Sequence, residues 1–343
     1  MAKKILIVGM GGVGTVAAYT LQLGGAEVTS VIRSDYDIVI EKGYKINSPD
    51  FGLIEGYRPS HIAKTAKEAN EKYGPFDYVV VTTKNIPDLN NVEDIYADAV
   101  SQNTVIVLQQ NGLGIEKAAF ERFPGHIVLS GVSMISSANY NGEINQTGGD
   151  SLAVGYFDNG VNTPEEQLAK AEEFVALYKK DQNQCFIDKD SKYTRWRKLV
   201  YNAVFNTIAT VTNLDVGRLE EFGAADGLIF PAMDEVIAMA ASDGVTLDPS
   251  IKQLMYHSDD GDWYAPSMLV DLRKGNQIEC EVILGNALRI AKKNGVKTPI
   301  LDVIYELLKL TQMSIKEKRG LIKLPEVRPI EDPEGAAASR AGY

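Results

Sequence analysis

The chain has 343 residues, 45% hydrophobic and 24% charged, an ordinary globular composition with room for two domains. Its formal net charge of −11 disfavours a nucleic-acid partner, because clustered Lys and Arg hold a phosphate backbone. The two cysteines, Cys185 and Cys280, form no CxxC pair, and the three histidines are far apart. We therefore expect neither a disulfide scaffold nor a bound metal.

The N-terminus superficially imitates a secretory signal, because Lys3 and Lys4 precede an apolar run. The glycines between Gly9 and Gly14 interrupt that run, so we expect no cleaved signal. No stretch approaches the ~20 apolar residues that span a bilayer. The sequence therefore predicts a cytoplasmic protein with no membrane partner.

The first half alternates short β-branched runs with helical patterns, which predicts a Rossmann-type, doubly wound, mostly parallel sheet in an α/β fold. The predicted strands are Ile5–Val8, Glu27–Ile32, Tyr78–Thr82, Thr104–Leu108, Ile127–Leu129 and Cys185–Ile187. The predicted helices are Gly12–Leu23, His61–Tyr73, Ile115–Phe123 and Glu165–Lys179. The polar, Gly-rich stretch Ser133–Tyr156 suggests antiparallel hairpins at a sheet edge.

Beyond about Asp188 the pattern becomes almost wholly helical. Helical periodicity covers Tyr193–Thr212, Gly227–Ala241, Ser267–Lys274, Ile278–Asn294 and Ile300–Lys318. We therefore expect a dinucleotide-binding domain over residues 1–188 and an all-helical substrate and dimerisation domain over 189–324. The remaining residues 325–343 are rich in Pro, Gly and Ala and are expected to form a mobile tail.

A glycine-rich loop lies between the first predicted strand and helix. Gly9, Gly11 and Gly14 form a G-x-G-x-x-G pattern, and Gly12 lies within it. Such glycines permit a tight turn and close approach of backbone N–H groups to a pyrophosphate at a helix N-terminus. The alternative is a tight βα turn without a ligand. Because strand, loop and helix follow in the required order, the pattern favours dinucleotide binding.

The end of the second predicted strand distinguishes the two nicotinamide cofactors. An acidic residue there binds the ribose of NAD, whereas an Arg accommodates the 2′-phosphate of NADP. This chain has Arg33 and Ser34, so we expect NADPH. The alternative is that Arg33 is a solvated cation at the strand end, and the nearby Asp35 could still serve a ribose.

Two polar residues follow later strands, at the sheet edge where open α/β sheets bind ligands. Lys84 is a candidate for the phosphate end of the cofactor, or a surface lysine. Asn111 is a candidate for orienting substrate or nicotinamide, although Asn-Gly pairs also form turns.

Lys198, Asn202 and Asn206 recur every four residues on an otherwise apolar helix. Buried without partners, such groups would be costly, so we expect them to line a polar cleft. The alternative is a solvated helix face, which usually carries mixed charges. Reduction of a ketone develops negative charge on oxygen, and a cleft lysine could stabilise that charge and donate the proton. Lys198 is therefore the candidate general acid.

Two downstream residues complete the candidate site. Glu279 could keep Lys198 charged and oriented, and Ser267 could bind a substrate carboxylate. Each has a simpler interpretation, Ser267 as a helix cap and Glu279 as a favourable acid near a helix start.

These motifs, in this order, resemble the ketopantoate reductase (2-dehydropantoate 2-reductase) family over residues 4–318. The resemblance implies an NADPH-binding Rossmann domain and a helical domain with the active site between them. It implies Lys198 as general acid supported by Glu279, with Asn111, Asn202, Asn206 and Ser267 holding the 2-oxo acid. The implied reaction reduces 2-dehydropantoate to (R)-pantoate, a step toward pantothenate.

Several features depart from the family pattern, and alternatives remain open. Trp263 and Tyr264 suggest a pocket for a bulkier or aromatic substrate, as in D-2-hydroxyacid dehydrogenases. A related β-hydroxyacid dehydrogenase and a non-catalytic NADPH sensor are further alternatives. The expected partners are a small 2-oxo acid and, as one option for assembly, a second copy of the chain.

Overall fold

The computed structural model describes residues 2–329; most of the predicted tail lies outside them. Twelve strands are numbered in chain order: β1 Lys4–Val8, β2 Glu27–Val31, β3 Tyr44–Ser48, β4 Gly52–Tyr57, β5 His61–Ala63, β6 Tyr78–Val81, β7 Val105–Leu108, β8 Val128–Met134, β9 Ser137–Tyr140, β10 Glu143–Gln146, β11 Ser151–Phe157 and β12 Gln184–Ile187. All of them lie before residue 188, and among the described residues beyond it the regular elements are helical.

The α-helices are α1 Gly12–Leu23, α2 Tyr36–Glu41, α3 Ala66–Tyr73, α4 Glu93–Tyr96, α5 Glu116–Arg122, α6 Pro164–Tyr178, α7 Ser191–Tyr201, α8 Thr207–Thr212, α9 Val216–Glu221, α10 Phe230–Ser242, α11 Ile251–Tyr256, α12 Ser267–Arg273, α13 Asn286–Asn294 and α14 Pro299–Lys318. Three π-helical segments, Asn202–Asn206, Ala225–Ile229 and Glu281–Gly285, adjoin α8, α10 and α13. Because π turns often mark functional positions, the segment at Asn202–Asn206 directs attention to that part of the chain.

The main sheet has eight strands in the order β12-β11-β8-β7-β6-β1-β2-β5. Every neighbouring pair is parallel except β8 and β11. Reversal of the order beside β1 creates a crevice outside the carboxyl ends of β1 and β6, where doubly wound folds bind ligands. The predicted α/β fold class, with a Rossmann-type sheet and a helical C-terminal region, is confirmed.

The segment after β2 differs from expectation. His61–Tyr73 was expected to be one helix, but His61–Ala63 is strand β5, paired with β2, and helix α3 begins only at Ala66. The side chain of Thr65 accepts a hydrogen bond from the backbone N–H of Glu68 and caps α3. Tertiary pairing with β2 thus overrides local helical character at His61.

A second, four-stranded sheet runs in the order β4-β3-β10-β9. The predicted hairpin is present as β9 and β10. β10 also pairs in parallel with β3, a pairing that sequence periodicity did not predict. β11 returns to the main sheet beside β8. The edge hairpin is therefore part of a small sheet built from two distant segments.

The helical region packs on the main sheet through a shared apolar core. One cluster of buried side chains joins strand residues such as Leu6 and Val79 to helical residues such as Trp196 and Leu199. Trp196 is fully buried, and its indole N–H donates to Asp243 at 3.0 Å. Over residues 2–329 no helix has the length and apolarity needed to cross a membrane.

Candidate active site

The glycine loop forms a tight turn between β1 and α1. Gly9 has φ of +106°, and a Cβ there would lie 2.6 Å from the backbone nitrogen of Thr83. A Cβ on Gly14 would lie 1.9 Å from the carbonyl oxygen of Gly9. Gly9 and Gly14 are therefore required by the turn itself.

Gly11 behaves differently, because a Cβ on it would meet no atom within 4 Å. Its neighbour Gly12 lies against strand β9, where a Cβ would approach the Ser137 carbonyl to 2.5 Å. The space beside Gly11, at the N-terminus of a twelve-residue helix, fits a pyrophosphate held by backbone N–H groups.

Arg33 and Ser34 follow β2 and are both exposed. Asp35 is buried at 6% exposure, and its carboxylate accepts hydrogen bonds from Asn139 at 2.7 Å and Ser34 at 3.1 Å. The carboxylate that could have bound a ribose is thus engaged by protein groups. The guanidinium of Arg33, in contrast, faces solvent at the strand end.

Lys64 is a cation that the sequence interpretation missed. The backbone N–H of Ile32 donates to the Ala63 carbonyl at 2.9 Å, so Arg33 and Lys64 leave adjacent strand ends. The Lys64 ammonium is exposed and lies 4.4 Å from the ring centroid of Tyr36. Only the pairing of β5 with β2 brings these two cations to one edge.

Lys198 lies on α7 at the carboxyl end of the main sheet. Its ammonium donates to Oδ1 of Asn111 at 2.8 Å and to the Ser133 carbonyl oxygen. Burial lowers the pKa of Lys198 to about 8. The positive charges of Arg195 and Lys84 act in the same direction, and Glu279 opposes them. The amine is thus partly desolvated, hydrogen-bonded and near neutral pKa, as a proton donor requires.

A narrow cleft adjoins this amine, lined by residues from both regions: Gln110, Asn111, Gly112, Val132, Arg195, Lys198, Leu199 and Asn202. Asn202 begins the π-helical segment and Asn206 ends it, and both are almost fully buried. The expected regular helix is therefore widened between the two amides. Lys198 and Asn202 share the cleft, which excludes a fully solvated face.

Glu279 does not contact Lys198 directly. Its carboxylate accepts from the backbone N–H of Asn85 at 2.8 Å and pairs with Lys84 at 3.3 Å. Lys84 also pairs with Asp271 of α12 at 2.8 Å. Burial disfavours the charge on Lys84, but the two carboxylates outweigh this effect and raise its pKa. Lys84 therefore ties the sheet to the helical region instead of presenting a free cation.

Ser267 opens α12 and is partly buried, on the helix that carries Asp271. Tyr264, three residues earlier, is partly buried, and burial raises the pKa of its hydroxyl. Trp263 is 65% exposed beneath the Arg218 guanidinium, 4.9 Å from it. Over the described residues no cluster of three His, Cys, Asp or Glu has metal-binding geometry.

Arg195 and Asp271 were not assigned roles from sequence. Arg195 is almost completely buried in the wall of the cleft, three residues before Lys198 on α7. Its spacing from Lys198 places it on the same helix face, which was the available signal. Asp271 was noticed only as part of a motif, because nothing local predicts its pairing with Lys84.

A glycine turn at the crevice of a doubly wound sheet and a partly buried lysine at the carboxyl end of that sheet are features typical of dinucleotide-dependent oxidoreductases. The family described as Ketopantoate reductase PanE/ApbA matches residues 5–159, and its C-terminal counterpart matches residues 190–312. The chain therefore belongs to the ketopantoate reductase family.

Individual relatives and solved structures are similar to the chain over most of its length. An uncharacterized protein of Saccharomyces cerevisiae is 40% identical, over 94% of this chain and 98% of its own. The crystal structure of 2-dehydropantoate 2-reductase from Methylococcus capsulatus is 31% identical with a TM-score of 0.77, covering 92% of this chain and 98% of its own. A ternary structure of D-mandelate dehydrogenase with NADH and anilino(oxo)acetate shares the fold, with 22% identity, a TM-score of 0.80 and coverage of 91% and 99%.

Proposed function

We propose that the protein reduces the oxo group of 2-dehydropantoate to give (R)-pantoate, using NADPH, with Lys198 as the general acid. The observation that carries this proposal is the Lys198 amine, hydrogen-bonded to Asn111 at the carboxyl end of the sheet and with a pKa of about 8. An ammonium there stabilises negative charge that develops on the substrate oxygen and transfers its proton to it.

The residues around the glycine loop fit the cofactor. Backbone N–H groups at Gly11 and Gly12 would hold the pyrophosphate, while Gly9 and Gly14 maintain the turn. Arg33 and Ser34 would bind the 2′-phosphate, with Lys64 as an added cation. The bound nicotinamide would supply the hydride.

The cleft residues would hold the 2-oxo acid. Asn111 and Asn202 would donate amide hydrogen bonds to its oxygens, while Asn206 would shape the widened helical turn beneath them. Ser267 would bind the carboxylate from the facing helix. Glu279, fixed by Lys84 and the Asn85 N–H, would support the substrate hydroxyl and the charge on Lys198.

We extend the proposal to the cellular setting. Residues 1–188 and 189–324 are proposed as cofactor and substrate domains, acting in the cytoplasm in pantothenate biosynthesis. A homodimer is the proposed assembly, in line with a ketopantoate reductase from Staphylococcus aureus whose structure is described as dimeric.

A panel of 2-oxo acids assayed with NADPH and NADH tests the proposal. Ketopantoate with NADPH should give the highest kcat/KM. A bound dinucleotide without turnover of any member would instead support an NADPH sensor, and oxidation of 3-hydroxy acids would support a β-hydroxyacid dehydrogenase.

A second candidate function is reduction of a bulkier or aromatic 2-oxo acid. It is favoured by the aromatic pair Trp263 and Tyr264, which lies three to four residues before Ser267 in the chain. A Cβ on Gly217 would lie 2.8 Å from the Trp263 ring, so the indole packs directly on the backbone of α9. Preferential turnover of phenylpyruvate or benzoylformate would select this alternative.

A further inference from the structure

Arg195 carries a buried charge that the proposed reaction does not yet use. The residue is 5% exposed, and its guanidinium lies over the Phe157 ring at 4.9 Å. Its Nε donates to the Ser130 hydroxyl at 2.8 Å, and Nη1 donates to the carbonyls of Gln110 and Gly112, each at 3.0 Å. One side chain of α7 thus binds strand β8 and both residues flanking Asn111.

No carboxylate among the described residues lies within 4.0 Å of this guanidinium. Burial lowers the pKa of Arg195 to about 10, opposed by the more distant charges of Glu116 and Asp188. A buried cation without a paired anion is costly unless its donors are satisfied, and here backbone carbonyls and a hydroxyl satisfy them. A buried cation of this kind contributes less to stability than a well-packed apolar side chain of similar volume would.

The turn that Arg195 binds is also held from the opposite side. The backbone N–H of Leu113 donates to the Val282 carbonyl at 2.9 Å, and the Asn286 amide donates to the Leu113 carbonyl at 2.6 Å. A Cβ on Gly112 would come within 2.4 Å of the Val282 oxygen. The turn is therefore clamped between α7 and the π-helical segment Glu281–Gly285.

We propose that Arg195 is a positioning residue: its guanidinium fixes the turn that presents Asn111 to Lys198 and keeps a second positive charge beside that amine. This inference rests on the proposed function, because it gives Arg195 a role in the reduction for which Lys198 is the proposed general acid. The carbonyls that Arg195 binds fix the hydrogen-bond geometry of Lys198, and the positive charge of Arg195 adds to the effect of burial on that amine.

The charges facing Lys198 come from three elements. Arg195 lies on the same helix, Lys84 follows β6, and Glu279 precedes the π-helical segment. After burial, Arg195 is the largest influence lowering the pKa of Lys198, Lys84 adds to it, and Glu279 acts against both. Removing the Arg195 charge should raise that pKa, whereas replacing Arg with Lys should keep the charge and lose the fork of donors.

Three variants separate the effect of the Arg195 charge from the effect of its hydrogen bonds. Arg195→Met removes both, and Arg195→Lys keeps the charge but loses the fork of donors. Arg197→Met, at a neighbouring arginine of α7, is the control. The pH profile of 2-oxo acid reduction is measured for each. Independently of turnover, the rate at which an amine-acylating reagent labels Lys198 is followed against pH by mass spectrometry, since only the neutral amine reacts. Amide hydrogen exchange reports on residues 110–113.

Arg195→Met should move the high-pH limb of reduction and the Lys198 labelling midpoint upward by on the order of one pH unit. It should lower kcat by on the order of 10²-fold through misplacement of Asn111. Arg195→Lys should leave both midpoints in place, yet lower kcat and speed exchange at residues 110–113. Arg197→Met should change none of these.

Unmoved midpoints together with unchanged exchange at residues 110–113 would overturn the inference. If Arg195→Met does not fold, hydrogen exchange and kcat of Arg195→Lys test the positioning role instead. That variant keeps the charge, so unchanged exchange and kcat would overturn the inference. A wild-type protein that reduces no 2-oxo acid, while its labelling midpoint still responds to Arg195→Met, would contradict the proposed function and leave the effect of Arg195 on Lys198 intact.

Discussion

The ammonium of Lys198 donates a hydrogen bond of 2.8 Å to Oδ1 of Asn111, which joins helix α7 to the turn after β7. The two residues are 87 positions apart in the chain. The contact forms only because the helical region packs on the carboxyl ends of the parallel strands. It makes the orientation of the proposed acid dependent on both regions.

Lys198→Ala should lower kcat for 2-oxo acid reduction by on the order of 10²–10⁴-fold, the contribution of a positioned acid. NADPH affinity, measured by fluorescence titration, should barely change. In the wild type, reduction needs the protonated amine, so its rate should fall as pH rises through about 8, the pKa of Lys198. A flat profile from pH 6 to 10 in the wild type would refute the assignment.

Glu279→Gln should move the high-pH limb of reduction to lower pH. The carboxylate favours the charged form of Lys198, so its loss lowers the pKa of that amine further. The direction is opposite to the one expected for Arg195→Met. The control is Glu306→Gln, which changes an exposed carboxylate on α14. If the high-pH limb of Glu279→Gln stays in place or moves upward, the electrostatic account is contradicted.

Gly11→Ala and Gly14→Ala should separate ligand binding from folding. A methyl group on Gly14 would collide with the Gly9 carbonyl, so that variant should lose about 1–3 kcal/mol of stability. A methyl group on Gly11 enters open space, so thermal unfolding should match that of the wild type. If a pyrophosphate uses that space, NADPH binding by Gly11→Ala should weaken by about 1.4 kcal/mol or more, which is tenfold in Kd.

The control for the glycine variants is Gly227→Ala, where a methyl group also meets open space, far along the chain from the loop. It should leave NADPH binding unchanged and should not lower stability, because Ala suits a helical segment at least as well as Gly. Unaltered NADPH affinity in Gly11→Ala would show that the cofactor phosphates lie elsewhere.

Arg33→Ala should weaken NADPH binding and spare NADH, because only NADPH carries the 2′-phosphate. Loss of hydrogen bonds to a charged group costs about 1.5–3 kcal/mol, or on the order of 10–100-fold in Kd. Lys64→Ala should act in the same direction with a smaller effect, since a lysine lacks the planar fork. Isothermal titration with both cofactors measures this, with Arg122→Ala as the control; equal losses for NADPH and NADH would contradict it.

Trp263→Ala should distinguish the two substrate classes. If the indole lines the pocket, KM for an aromatic 2-oxo acid should rise while KM for ketopantoate stays constant. Gly217→Ala should give the same pattern, because its methyl group would displace the ring. Steady-state assays with phenylpyruvate and ketopantoate test this, and equal effects on both would exclude a substrate-selective role for Trp263.

Some parts of the fold and site follow from sequence because they are local. A run of β-branched residues, a glycine turn and an Ala-rich helix specify β1, the loop and α1 through interactions within some twenty residues. The spacing of Lys198 and Asn202 likewise follows from helix geometry, although the widened π turn between Asn202 and Asn206 does not.

Other features depend on contacts between distant segments, which local periodicity does not encode. Three contacts belong to this class: the pairing of β10 with β3, the hydrogen bond from Asn139 to Asp35, and the ion pairs of Lys84 with Asp271 and Glu279. The amino-acid sequence by itself determined the class of fold and the residue types available for chemistry. Tertiary structure decided which charges are neutralised and which amine is desolvated, because dielectric environment and proximity exist only once the chain is packed.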